Sequence, residues 1–196
     1  MKEKDILRKQ IKKAVAQLSP EEKKAAAVAL KKRIETSSFF VEARTILLFH
    51  SLPDEVCTHE WIADWHSRKK ILLPVVKGDT LVVRPYAPDK MSTGSYGIAE
   101  PAGEDVTDYS DIDLVIVPGV GFDPHGNRLG RGKGFYDRLL KKISAPLTGV
   151  AYDCQIVAEI PSLPHDVAMS WVVTPNHLYQ LSRDTRKSLR ICTNRK

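Results

Sequence analysis

The 196-residue chain has little cysteine, and its three residues, Cys57, Cys154 and Cys192, lie far apart. They form neither a disulfide framework nor a C-x-x-C metal knuckle, so a reducing cytoplasm is the expected location. Long apolar runs are also missing. No stretch approaches the roughly 20 apolar residues of a membrane span, so no membrane partner is expected. Residues Met1 to Lys13 are charged throughout and lack the apolar core of a signal peptide. There is no internal repeat and no low-complexity segment. A hydrophobic share of 42% is close to the globular norm and excludes a mainly disordered chain. The length suits one domain with a core of its own.

The formal charge of +6 raises the question of a polyanion partner, and its distribution answers part of it. Residues 1–33 hold 11 bases and 4 acids, and residues 183–196 hold 6 bases and 1 acid, so the middle of the chain is net acidic. Basic ends are weaker evidence for nucleic acid than one broad basic face, and no basic stretch is interleaved with stacking aromatics. No nucleic-acid partner is expected. A binding module built on the basic ends stays the minor alternative.

Leu7, Ile11, Ala14, Val15 and Leu18 form one apolar stripe of a first helix, with Lys4 and Arg8 four residues apart along its edge. Ser19-Pro20-Glu21-Glu22 then signals a capping box and a second, Ala-rich helix to about Ile34. Apolar runs at Ile46–Phe49, Ile71–Val76, Leu81–Tyr86, Leu114–Val117, Leu147–Ala151 and Trp171–Thr174 read as strands. Several are continuous, as in strands buried on both faces. Helical patterns lie between them at His59–Arg68 and Phe135–Ile143, with a further candidate at Gln155–Glu159. This alternation predicts a single α/β domain with a mostly parallel sheet over residues 1–182, followed by a basic tail, 183–196. The connection from Pro88 to Asp108 is long enough to suggest function.

The most informative stretch follows the Leu114–Val117 strand. From Gly119 to Asp137 it reads G-V-G-F-D-P-H-G-N-R-L-G-R-G-K-G-F-Y-D. Gly126, Gly130, Gly132 and Gly134 free the backbone to curl and expose amide donors, while Arg128, Arg131 and Lys133 add positive charge. A helix starting near Phe135 presents its N-terminus. Together these describe a polyphosphate cradle at the carboxyl end of a strand. It is not a Walker A loop: five residues separate Gly126 from Gly132, and Lys133 is followed by Gly134 where a Ser or Thr is needed. Asp137 is placed to hold magnesium beside phosphates, or to complement the helix dipole. His125 reads as a turn residue, and His59 and His66 as structural.

The run G-F-D-x-x-G-N-R-L-G-R-G-K-G-[FY]-Y-D resembles the signature of the 5-formyltetrahydrofolate cyclo-ligase family. Lys4 and Arg8 resemble its N-terminal K-x-x-x-R pair, Asp54-Glu55 an acidic pair after the first strand, and Asp166 an acid near the last. The likeness extends to about Val173. It implies a three-layer α/β/α sandwich around a mixed sheet. It further implies a magnesium-dependent enzyme that spends ATP to convert 5-formyltetrahydrofolate into 5,10-methenyltetrahydrofolate, with ADP and phosphate released. A different ATP-dependent enzyme of the same fold is the main alternative.

By the same resemblance, ATP is held by Lys4, Arg8 and the segment Arg128, Leu129, Gly130, Arg131, Gly132, Lys133, Gly134, Phe135 and Tyr136. Arg131 and Lys133 are the expected catalytic residues. The folate is met by Arg8, Glu55, Tyr96, Arg131 and Phe135, and magnesium by Asp137 and Asp166. Phe135 stands where relatives commonly carry Tyr, and Tyr96 where some carry Trp. The implied partners are small molecules, and a monomer is expected.

Overall fold

The computed structural model describes residues 2–94, 97–162 and 166–181, and the backbone of residues 190–191. Tyr96 and nearly all of the basic tail therefore lie outside the described residues.

The first two helices form where the stripe and the capping box place them. Helix α1 (Lys2–Ala16) buries Ile11 and Val15. Helix α2 (Pro20–Glu35) starts at Ser19, whose Oγ accepts from the Glu22 N–H at 3.1 Å while the Glu22 carboxylate accepts from the Ser19 N–H at 2.7 Å. A short α3 (Ser38–Glu42), not foreseen in the sequence, turns the chain into β1 (Thr45–Leu47). Helix α4 (His59–His66) buries Trp61, Ile62 and Trp65. The strands β2 (Lys70–Lys77) and β3 (Thr80–Pro85) pair as an antiparallel hairpin turned at Gly78, whose φ is +62°.

The long connection contains a small hairpin, β4 (Met91–Thr93) with β5 (Ala99–Pro101). Then come β6 (Leu114–Val117), the two-residue strands β7 (Gly121–Phe122) and β8 (Arg128–Leu129), α5 (Phe135–Leu140) and β9 (Leu147–Val150). The last strands are β10 (Trp171–Val173), β11 (Leu178–Gln180) and β12 (Arg190–Ile191).

Two expected helices are corrected. The stretch Gln155–Glu159 is not helical; a 3₁₀ turn covers Asp153–Gln155. The Gln155 amide donates to the carbonyls of Gly119 and Val120, and Ile156 bridges to Phe122, so this segment is tied to β7 and cannot wind further. Helix α5 stops at Leu140, short of Ile143. Its continuation tightens into i→i−3 bonds from Lys142 to Leu139 and Ile143 to Leu140.

The main sheet runs β12-β11-β10-β9-β6-β1-β2-β3. Its centre, β10-β9-β6-β1-β2, is parallel, and antiparallel strands close both sides. The continuous apolar runs are buried on both faces. Ile46, Leu114, Ile116, Ile71 and Leu73 point toward the side packed by α1, α2, α3 and α4. Leu47, Val115, Val117 and Leu72 point toward the side packed by α5 and its neighbouring loops. The period of two along each strand divides one run between two cores. The result is the α/β/α sandwich expected from the sequence, with its helices unequally shared.

Candidate active site

Among the parallel strands the order is β2-β1-β6-β9-β10, so the chain leaves β1 in one direction and resumes at β6 in the other. Such a switch point opens a crevice at the carboxyl ends of the two strands. The segment after β1 carries Asp54 and Glu55, and the segment after β6 carries the glycine-rich loop. Both walls of the crevice were therefore marked in the sequence as chemistry-bearing.

The first half of the loop motif is architecture. Asp123 is fully buried and accepts hydrogen bonds from the N–H groups of His125, Asn127 and Ile160 and from the Asn127 side chain, all at 2.8–2.9 Å. It fixes the turn that pairs β7 with β8. Gly126 in that turn has a φ of +81°, and a Cβ there would meet the Met169 carbonyl at 2.7 Å. His125 is exposed, as expected for a turn residue.

The second half faces the crevice. Gly132 and Gly134 take φ values of +99° and +67°, conformations that other residues adopt at a penalty. Gly134 opens α5, whose six residues make a shorter dipole than the sequence suggested. Arg128 turns inward: its side chain is 5% exposed, one Nη bonds Asp137 Oδ1 at 2.5 Å, and its Cζ lies 5.6 Å from the centre of the Tyr136 ring. Leu129 is fully buried beneath the loop. Arg131 reaches the other wall, where it donates to Asp54 and to Glu55 Oε1, the latter at 3.0 and 3.2 Å. Burial opposes charge on Asp54, but the Arg131 guanidinium outweighs it and holds that carboxyl below its ordinary range. Burial likewise works against the Arg131 cation, and the two acids raise it further above its usual value. Lys133 is exposed, with its Nζ 5.9 Å from the Phe135 ring.

Helix α1 closes the loop from outside. Arg8 Nε donates to the Gly130 carbonyl at 2.8 Å, and Lys4 pairs with Asp166 at 2.9 Å. The other cations of this helix, Lys2, Lys9, Lys12 and Lys13, are exposed.

Between these elements lies a cavity of about 530 Å³. Glu55, Arg128, Gly130, Arg131, Lys133, Gly134, Phe135, Tyr136 and Asp137 line it, so most of the expected site comes together. Leu129, Gly132, Lys4, Arg8 and Asp166 do not line it; Arg8 acts at its border through Gly130. Asp137 and Asp166 each face a base, and among the described residues no three metal-ligating side chains cluster.

The opposite side of the cavity is apolar, formed by Phe49, Leu52, Pro74, Val76, Leu81 and Ile98. Two polar residues in this region were missed in the sequence. Glu100, on β5, is 9% exposed and accepts from the Val76 N–H at 3.2 Å. His50 follows β1 and stacks on His59 with ring centroids 3.9 Å apart. The available signal was position: His50 ends a buried strand run just ahead of the acidic pair, and Glu100 lies in the long connection already suspected of function.

The fold and crevice define a doubly wound α/β protein whose switch point carries a cationic, glycine-rich loop facing an apolar cavity. The model of the 5-formyltetrahydrofolate cyclo-ligase family matches residues 1–175. The chain belongs to that family, and is thus a ligase by class. It is 32% identical over 173 residues to the 5-formyltetrahydrofolate cyclo-ligase of Escherichia coli strain K12, covering 83% of this chain and 95% of that one. The mouse enzyme of the same name is 30% identical over 184 residues, covering 85% and 91%. The NMR structure of Aquifex aeolicus 5,10-methenyltetrahydrofolate synthetase superimposes with a TM-score of 0.84 at 32% identity, covering 94% of this chain and 95% of that one.

Proposed function

We propose that this enzyme cyclises 5-formyltetrahydrofolate to 5,10-methenyltetrahydrofolate at the expense of ATP. The observation that supports it most is Arg131, which projects from the glycine-rich loop yet bonds Glu55 on the facing wall. A phosphate bound on the loop and a substrate bound against Glu55 would therefore lie within reach of one side chain.

The formamide oxygen of the substrate is a poor leaving group. Its attack on the γ-phosphorus forms an O–P bond and expels ADP. The neighbouring folate nitrogen then attacks the activated formyl carbon and gives up its proton, and the C–O bond breaks with release of phosphate. The protein aligns the reactants and neutralises charge on the transferred group. Arg131 and Lys133 serve that charge. Arg128 and the amides of Gly130, Gly132 and Gly134 form the cradle, with Leu129 anchoring it from below. Arg8 holds its edge through Gly130, and Lys4 extends the basic border. Phe135 and Tyr136 pack beside the ligands, and Glu55 accepts from the pterin.

Magnesium bound with ATP would supply charge neutralisation at the phosphates. It takes only one or two protein carboxylates with retained water, which suits Asp137 on the cavity wall and Asp166 beside Lys4. No helix among the described residues is long and apolar enough to cross a membrane. We place the enzyme in the cytoplasm, acting as a monomer on small molecules. Purified protein with ATP, magnesium and 5-formyltetrahydrofolate should generate the near-ultraviolet absorbance of the methenyl product, with one ADP released per product. ATP hydrolysis without that product would assign another substrate, and no reaction at all would refute the proposal.

A further inference from the structure

Of the two polar residues on the apolar side of the cavity, neither used by the mechanism above, Glu100 is engaged by the Val76 N–H and His50 is not hydrogen-bonded by the protein. His50 lines the cavity, and neither of its ring nitrogens has a hydrogen-bond partner among the described residues. Nδ1 is closed off inside the protein, so the nitrogen a ligand in the cavity can meet is Nε2. The ring is not free to turn away. It stacks on His59, whose Nε2 lies 3.2 Å from the Ser51 carbonyl, and this in turn belongs to the segment that carries Asp54 and Glu55. Burial, with His59 adding to it, pushes the His50 imidazole down to about 4, so it is neutral at physiological pH. A neutral imidazole offers one donor and one acceptor and no charge. That is unsuited to phosphate and suited to a flat heterocycle that carries both kinds of group. The neighbouring Phe49 and Leu52 provide the apolar surface such a ring needs.

We propose that His50 is a specificity-determining residue that hydrogen-bonds the fused heterocycle of the bound folate, with His59 setting its orientation. This rests on the folate reading of the cavity, and wild-type activity tests that reading separately. A wild type that forms no product overturns that reading and this inference with it, whereas the variants below address the contact alone.

The experiment compares His50→Leu and His50→Asn with wild type under steady-state conditions. His50→Leu should raise the KM for 5-formyltetrahydrofolate about five- to tenfold, the loss of one neutral hydrogen bond. Its KM for ATP and its kcat should stay within about twofold, because the phosphate end is untouched. His50→Asn, which keeps a donor and an acceptor, should stay within about threefold of wild type. An unchanged folate KM in His50→Leu would overturn the proposal. So would a parallel rise in both KM values, which would mark a distorted cavity. A second measurement on the intact protein covers a Leu variant that does not fold. With nitrogen-labelled histidine, the ring resonances absent from the His50→Asn spectrum should shift on adding 5-formyltetrahydrofolate and stay in place with ATP alone. No shift with folate would equally refute the contact.

Discussion

The Arg128–Asp137 pair separates two roles that a single carboxylate could play. Asp137 is proposed to serve magnesium, yet in this structure it answers a buried guanidinium. The Arg128 side chain is 5% exposed and that of Asp137 26%. One Nη bonds Asp137 at 2.5 Å, the other reaches the Pro118 carbonyl only at 3.5 Å, and Nε is buried without a partner. Replacing Asp137 by Ala thus strands a buried cation with one weak hydrogen bond. Breaking such a pair from one side costs about 3–5 kcal/mol in a closed interior. The partial exposure of Asp137 reduces this to roughly 2–3 kcal/mol. For a chain of this size that lowers the melting temperature by about 5–10 °C.

Arg128→Met leaves instead a carboxylate that water can reach, and should be the milder change. The double variant should recover about 1–2 kcal/mol relative to the sum of the two. The assay is thermal denaturation with EDTA present, so that metal makes no contribution. If Asp137→Ala melts within about 1 °C of wild type there, the pair does not hold the loop. Asp137 would then matter only with ligands bound.

Lys133→Ala should lower kcat by about 10²–10³-fold, the scale of one lost electrostatic stabiliser, with the melting temperature unchanged; the methenyl-product absorbance assay reads it. Gly134→Ala forces an alanine into a φ of +67° with its Cβ 2.9 Å from Arg138 Nη1. It should destabilise by about 1–2 kcal/mol in denaturant melts and raise the KM for ATP, since Gly134 sets the start of α5. The Asp54 carboxyl is lowered from its ordinary 3.8 by Arg131, so its stabilising contribution is present above that pH and is lost as pH falls through the lower folded value. Because the pair is exposed, the contribution is below about 1 kcal/mol. Asp54→Asn should remove that much of the acid-limb slope below the ordinary carboxylate range while leaving stability at pH 8 within about 1 kcal/mol.

The parallel centre of the sheet was legible because its strands are buried on both faces, and that forces apolar runs at Leu114–Val117 and Ile71–Val76 that no surface strand would carry. The small strands were not. Gly121–Phe122 and Arg128–Leu129 are two residues each, too short for any period, and they exist because Asp123 gathers the turn between them. Gln155–Glu159 misled for the opposite reason: a helix-compatible pattern was spent on long-range bonds to Gly119 and Val120. At the site, glycine and charge spacing revealed the phosphate side, since that chemistry is local in sequence. The other side draws on Phe49, Pro74, Leu81, Ile98 and Glu100. These come from segments scattered between residues 49 and 100, and nothing in one of them announces that they share a cavity.

The seating of α1 has a consequence for the order of events during synthesis. Lys4 meets a partner 162 residues later in the sequence, and Arg8 one 122 residues later. Arg8 can pair with Asp5 on its own helix, but the first helix to leave the ribosome must wait for almost the last part of the fold before its two inward cations reach these distant partners. A nascent chain that has released α1, α2 and β1 but not Gly130 and Asp166 lacks those contacts. Capture of ATP by this border is thus expected only from molecules whose sheet has closed.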